Sequence, residues 1–210
     1  MTQAPEHKTL ILACGALAKE VVFLQRALPD MAGVVDVQCL PADYHNTPEK
    51  IVPGLEKVLD ERGADYDHIL IGYGDCGTGG GLDRLLEKYT HVERMPGAHC
   101  YEFFAGHAVF ADLMEEELGS FFLTDYLVRH FDRIVMKGLG LDRYPDLIDV
   151  FFKNYKRLVY LSQIEDADLL VQARKAADRL ELELVHRHVG YGLLGTAINQ
   201  FTPKEEALHA

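Results

Sequence analysis

Apolar positions along the chain fall into short continuous runs separated by stretches with helical spacing. Thr9-Leu10-Ile11-Leu12-Ala13 is the first run and predicts a β-strand; Ala16 to Leu28 then places Leu17, Val21, Leu24 and Leu28 on one helix face, with Pro29-Asp30 as a stop. Val34 to Leu40 alternates as a strand does, and Pro53 to Arg62 predicts a helix ended by Gly63. His68-Ile69-Leu70-Ile71-Gly72-Tyr73 is apolar enough for a strand buried on both faces. The order βαβαβ predicts parallel neighbours joined by right-handed helical crossovers. In the second half, Tyr101 to Leu118, Asp125 to Phe131 and Leu147 to Asn154 read as helices, and Arg133 to Met136 as a weak strand or a helix end. Arg157 to Leu161 is a strand, Asp166 caps a helix from Ala167 to Leu180, and Glu181 to His188 alternates as a final strand. The expected fold is α/β: a doubly wound, mostly parallel, Rossmann-like sheet of six or seven strands. It forms one domain over residues 1–210, or two intertwined lobes, 1–118 and 119–201, around a cleft, with a polar tail at 202–210.

Composition narrows the classes of function. Of 210 residues, 48 % are hydrophobic and 26 % charged, which suits a globular chain with a sizeable core. Acidic residues outnumber basic ones, 33 to 21, for a net charge of -12, so neither a nucleic-acid backbone nor an anionic membrane surface is an expected partner. No apolar run approaches the roughly 18 residues of a membrane-spanning helix. Met1 to Lys8 lacks a basic leader region, and Thr9 to Ala13 is too short for a signal core, so a cytoplasmic protein is expected. In a reducing compartment, cysteines that matter are metal ligands or reactive thiols rather than disulfides.

There are four cysteines. Cys39 lies inside a predicted strand and reads as packing. Cys14 follows the first strand, Cys76 the third, and Cys100 the turn Pro96-Gly97 after Val92 to Met95. The carboxyl ends of strands in a doubly wound sheet share one edge, where ligands bind, so these three thiols are expected to meet. Each also precedes a predicted helix, whose amides and macrodipole lower a thiol pKa. Soft thiolates suit zinc or an iron–sulfur cluster, and ligands drawn from separate strand ends suit a site with an open position. The competing readings are a single nucleophile, Cys76, and inert packing. Around Cys76 the glycine-rich stretch offers Gly74, Gly77, Thr78 and Gly79 as backbone contacts to a cofactor or phosphate, or simply as a tight turn. It matches neither the P-loop nor the dinucleotide fingerprint. His99 and Glu102 flank Cys100 as candidate catalytic or tuning groups, and His107, two helical turns beyond Cys100, is a candidate fourth ligand. His186 and His188 share a face of the last strand, with Gly190-Tyr191-Gly192 after it. Gly119 to Leu127, with Phe121-Phe122 and Asp125, reads as core packing at a crossover or as an apolar lid.

Ala13-Cys14-Gly15-Ala16-Leu17, Gly72-Tyr73-Gly74-Asp75-Cys76-Gly77, Gly97-Ala98-His99-Cys100-Tyr101-Glu102 and Gly119-Ser120-Phe121-Phe122-Leu123-Thr124-Asp125 together resemble the domain-of-unknown-function family number 1638. The resemblance implies an association with corrinoid-dependent methyltransferases acting on methylated amines, hence a part in one-carbon metabolism. The expectation is therefore a metalloprotein in which Cys14, Cys76 and Cys100 hold zinc or an iron–sulfur cluster for corrinoid-linked methyl transfer. It is either a metal-dependent methyltransferase or a redox accessory of one. The alternatives are a non-enzymatic carrier that delivers a metal, cluster or corrinoid, and a metal-free enzyme with Cys76 as nucleophile. The expected partner is a small molecule or a corrinoid protein, and self-association into a homo-oligomer is left open.

Overall fold

The computed structural model describes residues 8–27 and 35–200. The expected helix end at Leu28 to Asp30, the strand start at Val34 and the tail 202–210 lie outside them. The described residues divide into two compact units, those up to 99 together with 194–200, and those from 100 to 193.

The first unit holds strands β1 (Thr9–Cys14), β2 (Val35–Leu40), β3 (His68–Gly72) and β4 (Val92–Arg94), and helices α1 (Ala18–Ala27), α2 (Ile51–Arg62) and α3 (Gly81–Leu86). Every strand pair is parallel and the order is β2-β1-β3-β4. Leu10, Ile11, Leu12, Ala13, Ile69 and Ile71 have no exposed surface. This is why β1 and β3 read as continuous apolar runs, because a central parallel strand is covered on both faces. From β1 the chain winds outward to β2, returns past β1 to β3 and continues to β4. The winding reverses between β1 and β3, and beyond the carboxyl ends at such a reversal a parallel sheet leaves a crevice for ligands.

The second unit holds α4 (Cys100–Ala105), α5 (His107–Glu116), β5 (Ser120–Thr124), α6 (Asp125–Arg129), α7 (Leu147–Phe152), β6 (Arg157–Ser162), α8 (Ala167–Arg179) and β7 (Glu183–His188). A further helix, α9 (Gly192–Gln200), ends the described chain and belongs from Leu194 onward to the first unit. The sheet of the second unit is parallel in the order β5-β6-β7. Side chains of β6 alternate between two apolar clusters: Leu158 and Tyr160 face one with Leu127, Phe131 and Leu169, and Val159 and Leu161 face the other with Leu113 and Phe122.

Among the described residues every strand pair is parallel, but the seven strands form two sheets instead of one. Several local expectations also change. Tyr101 to Leu118 is two helices, broken at Gly106, whose φ of 78° is left-handed and closes the first of them. Ser120 to Thr124 is an edge strand of a kind that Phe121-Phe122 hides, since both alternate positions are apolar. Arg133 to Met136 lies within a π-helical turn over Asp132–Lys137. Helix α2 does end at Arg62 with Gly63 as its C-cap, as expected, and Gly63, with φ -58°, leads into a 3-10 turn. Asp166 caps α8 as expected, accepting from the amides of Asp168 and Leu169.

Candidate functional site

At the carboxyl edge of the first sheet three glycines permit backbone approaches that a side chain would block. A Cβ on Gly72 would stand 2.8 Å from that of Ala13, and one on Gly15 2.7 Å from the carbonyl of Leu40. One on Gly74 would stand 2.9 Å from the carbonyl of Gly97. The Asp75 and Cys76 amides donate to the carbonyls of Gly97 and Ala98, at 3.1 and 2.8 Å. Segments 13–15, 40–42, 72–76 and 97–99 thereby converge beyond the strand ends, on the side where the β1–β3 reversal opens.

Cys14 ends β1 and is 6 % exposed. Its sulfur accepts from the Ala16 amide at 3.4 Å in the 3-10 turn that follows. The expected lowering of its pKa by a helix start is overturned: burial pushes the thiol up to about 11, and the Ala16 amide offsets only part of that. Tyr73 follows β3 and is 2 % exposed, its hydroxyl buried without a hydrogen-bond partner of normal geometry. The polar group beside that hydroxyl is the Cys14 thiol, which holds its proton and is a weak acceptor. Burial first, and then Cys14, drive the phenol pKa far above its ordinary value. Cys76 and Cys39 act electrostatically on both Cys14 and Tyr73. Cys39, read from the sequence as packing, therefore belongs to this neighbourhood; it is half-buried on β2, in register with Ala13, and burial raises its pKa.

Cys76 has a φ of 48°, a left-handed conformation that costs a residue with a Cβ about 1–2 kcal/mol. Such strain in a non-glycine residue marks a position held by its surroundings. The Arg94 guanidinium lies within electrostatic reach of it, and also donates to both carboxylate oxygens of Asp83, at 2.5 and 2.9 Å, and to the carbonyl of Met95 at 2.8 Å. Past Cys76 the glycine loop carries positive φ at Gly77, Gly79 and Gly80. The anion held by its amides is part of the chain: Asp75 accepts from Gly80 N at 2.7 Å, Gly79 N at 3.1 Å and Thr78 Oγ at 2.8 Å. Those bonds, the Gly80 amide foremost, hold the Asp75 carboxyl below its usual range. Among the expected cofactor contacts, Thr78 and Gly79 thus have Asp75 as partner, while Gly74 and Gly77 serve the close turn. Burial of the His45 ring, and after it the nearness of His99, lower the His45 pKa.

Cys100 opens α4 of the second unit. Glu102 and His107 pair with each other, Oε1 to Nδ1, across the break at Gly106. The break also removes the continuous helix that would have set His107 two turns above Cys100. Among the described residues, no group of three or more His, Cys, Asp or Glu is assembled to hold a metal ion, and no helix is long and apolar enough to cross a membrane.

Sequence reasoning missed a second polar centre in this unit. Asp125 is 1 % exposed and does not cap α6; Thr124 does so through its hydroxyl. The Asp125 carboxylate instead accepts from the Tyr160 hydroxyl at 2.6 Å and from the amides of Gln163 and Ile164 at 3.1 and 3.2 Å. The available signal was Thr124-Asp125 at the end of an apolar run: a buried charge needs several donors, and strand ends supply free amides.

The first unit is a parallel α/β sheet with two thiols and a buried phenol past the strand ends at its winding reversal. The chain belongs to the family described as "Protein of unknown function (DUF1638)", whose model matches residues 39–198, a span that includes Tyr73, Cys76 and Cys100 and begins after Cys14. No curated protein and no solved structure matches the chain.

Proposed function

We propose that the β1–β3 edge of the first unit is a thiolate site for a soft metal ion, with Cys14 and Cys76 as protein ligands, acting in one-carbon methyl transfer. The observation that carries this reading is the Tyr73 hydroxyl, buried beside Cys14 without a normal hydrogen bond. An unmade bond of this kind is costly. A neutral thiol satisfies it only weakly, whereas a metal-bound thiolate is a strong acceptor. A cation also supplies the charge that burial otherwise denies Cys14, since a coordinating thiol loses its proton outright. Cys76, in a strained conformation and within reach of Arg94, is the second thiolate.

Zinc suits this edge better than an iron–sulfur cluster, whose usual set is four cysteines. With two protein thiolates, the remaining positions belong to water or to an incoming thiol. Zinc lowers the pKa of such a thiol and presents it to an electrophilic methyl group, the chemistry that a methylated corrinoid would require. A cytoplasmic setting keeps the thiols reduced. A carrier that delivers metal or corrinoid uses the same ligands without turnover.

The test is metal analysis and an absorption spectrum of protein purified without oxygen. The expected result is colourless protein with about one zinc per chain, lost in Cys14→Ala and in Cys76→Ala. Brown protein absorbing near ~400 nm replaces zinc by a cluster and overturns the choice of metal. Metal uptake that is absent, or unchanged in both variants, overturns the site. Turnover of a methylated corrinoid with a thiol acceptor then separates enzyme from carrier.

A further inference from the structure

The carboxyl edge of the second sheet carries a donor set of different chemistry. His186 and His188 stand on one face of β7, in register with Tyr160 and Ser162 on β6. Their ring nitrogens converge on one atom: the Ser162 hydroxyl lies 2.9 Å from His186 Nε2 and 3.1 Å from His188 Nδ1. Ser162 is buried, while both histidines are exposed. A hydroxyl has one hydrogen, so with both rings neutral it donates to one and accepts an N–H from the other. The rings thus already point two nitrogens at a common position.

The orientation of His186 is built into the fold. Its ring stacks on that of Tyr160, with centroids 5.2 Å apart and an interplanar angle of 21°. Tyr160 is fixed by its bond to Asp125, and Asp125 by the amides of Gln163 and Ile164. The stacked phenol, itself held by the Asp125 carboxylate, thus limits the orientations open to the His186 ring.

We infer that His186 and His188 form a binding site for a divalent transition-metal ion of the nickel, copper or zinc type, with the Ser162 hydroxyl beside it and the other positions open to water or a small ligand. Imidazole donors suit these ions, at about 2.0–2.1 Å for zinc. Binding needs the lone pairs of His186 Nε2 and His188 Nδ1, so each ring carries its proton on the other nitrogen and the Ser162 hydrogen turns away. Both side chains are exposed and can close on the ion by rotation about their own bonds. The donors are nitrogen, not sulfur, and the site is independent of the cysteine edge.

The experiment is calorimetric titration of the full-length protein with nickel(II) alone, repeated on His186→Gln, His188→Gln, Ser162→Ala and the double variant Cys14→Ala/Cys76→Ala. The expected result is a site weakened about tenfold or more by either histidine change. The double cysteine variant is expected to retain it, and Ser162→Ala, which removes the hydroxyl that both rings contact, to weaken it less than either histidine change. Urea unfolding of each variant confirms that the exposed histidine changes leave the fold intact. Absence of nickel binding, binding indifferent to both histidine changes, or binding lost only in the cysteine variant overturns the inference.

Discussion

Replacing Tyr73 by Phe removes one oxygen from a side chain that is 2 % exposed and leaves the ring where it packs. In the metal-free protein that oxygen has no hydrogen-bond partner of normal geometry, and the neighbouring Cys14 thiol is protonated. A buried polar group left unsatisfied costs about 1–3 kcal/mol, of which a weak thiol contact recovers a part, so Tyr73→Phe is expected to stabilise the metal-free protein by about 1 kcal/mol. With metal on Cys14 the balance reverses, because the hydroxyl then donates to a charged sulfur, a bond worth about 1.5–3 kcal/mol. The same substitution should therefore weaken metal binding by about tenfold or more, at 1.4 kcal/mol per factor of ten. Urea unfolding in the presence of a chelator reads the first effect; metal competition with a chromophoric chelator reads the second. If Tyr73→Phe destabilises the metal-free protein by about 1 kcal/mol or more and leaves metal affinity unchanged, the hydroxyl is already satisfied and the reasoning is refuted.

Three further outcomes follow from the same edge. Cys14 has its thiol pKa raised to about 11, so its contribution is complete below the unfolded value near 9 and is lost as pH rises from about 9 to 11. Over that window metal-free protein should lose about 2–3 kcal/mol more stability than Cys14→Ala, measured by unfolding against pH. Cys76→Gly relieves the left-handed strain at φ 48°, so metal-free stability should stay level or rise by up to ~1 kcal/mol while metal uptake fails, and a clear loss of stability would contradict the strain. Asp75→Asn should cost about 1 kcal/mol, a modest figure because the carboxylate is partly solvated. Because the folded Asp75 pKa is depressed, its contribution is present above the ordinary carboxylate range and lost as pH falls through the folded value; unfolding of wild type and variant should converge in acid.

The first half of the fold was legible because β1 and β3 are buried on both faces and carry unbroken apolar runs, and α1 and α2 repeat at helical spacing between them. β5 was not, since Phe121, Phe122 and Leu123 offer no alternation and are bounded by a cap rather than a turn signal. The thiols at the ends of β1 and β3 were legible by position, whereas Cys39 was not: residue 39 lies within a strand, and its nearness to Cys14 and Tyr73 depends on the pairing of β2 with β1. Tyr73 reads in the sequence as the last apolar residue of its strand; only burial shows that its hydroxyl lacks a hydrogen-bond partner of normal geometry. The amides of Gly79 and Gly80 were legible as anion-directed, but the anion proved to be the carboxylate of Asp75, a few residues earlier in the same loop.

That last arrangement bears on what the glycine loop can select. Asp75 is tethered within five residues of the amides it occupies, so it competes as an intramolecular ligand at a high effective concentration. A free phosphate or carboxylate at ordinary metabolite levels has to displace a group that never diffuses away. The loop therefore discriminates against small anions by occupancy, and Asp75 projects negative charge next to Cys76 in place of the positive field that glycine-rich loops usually offer.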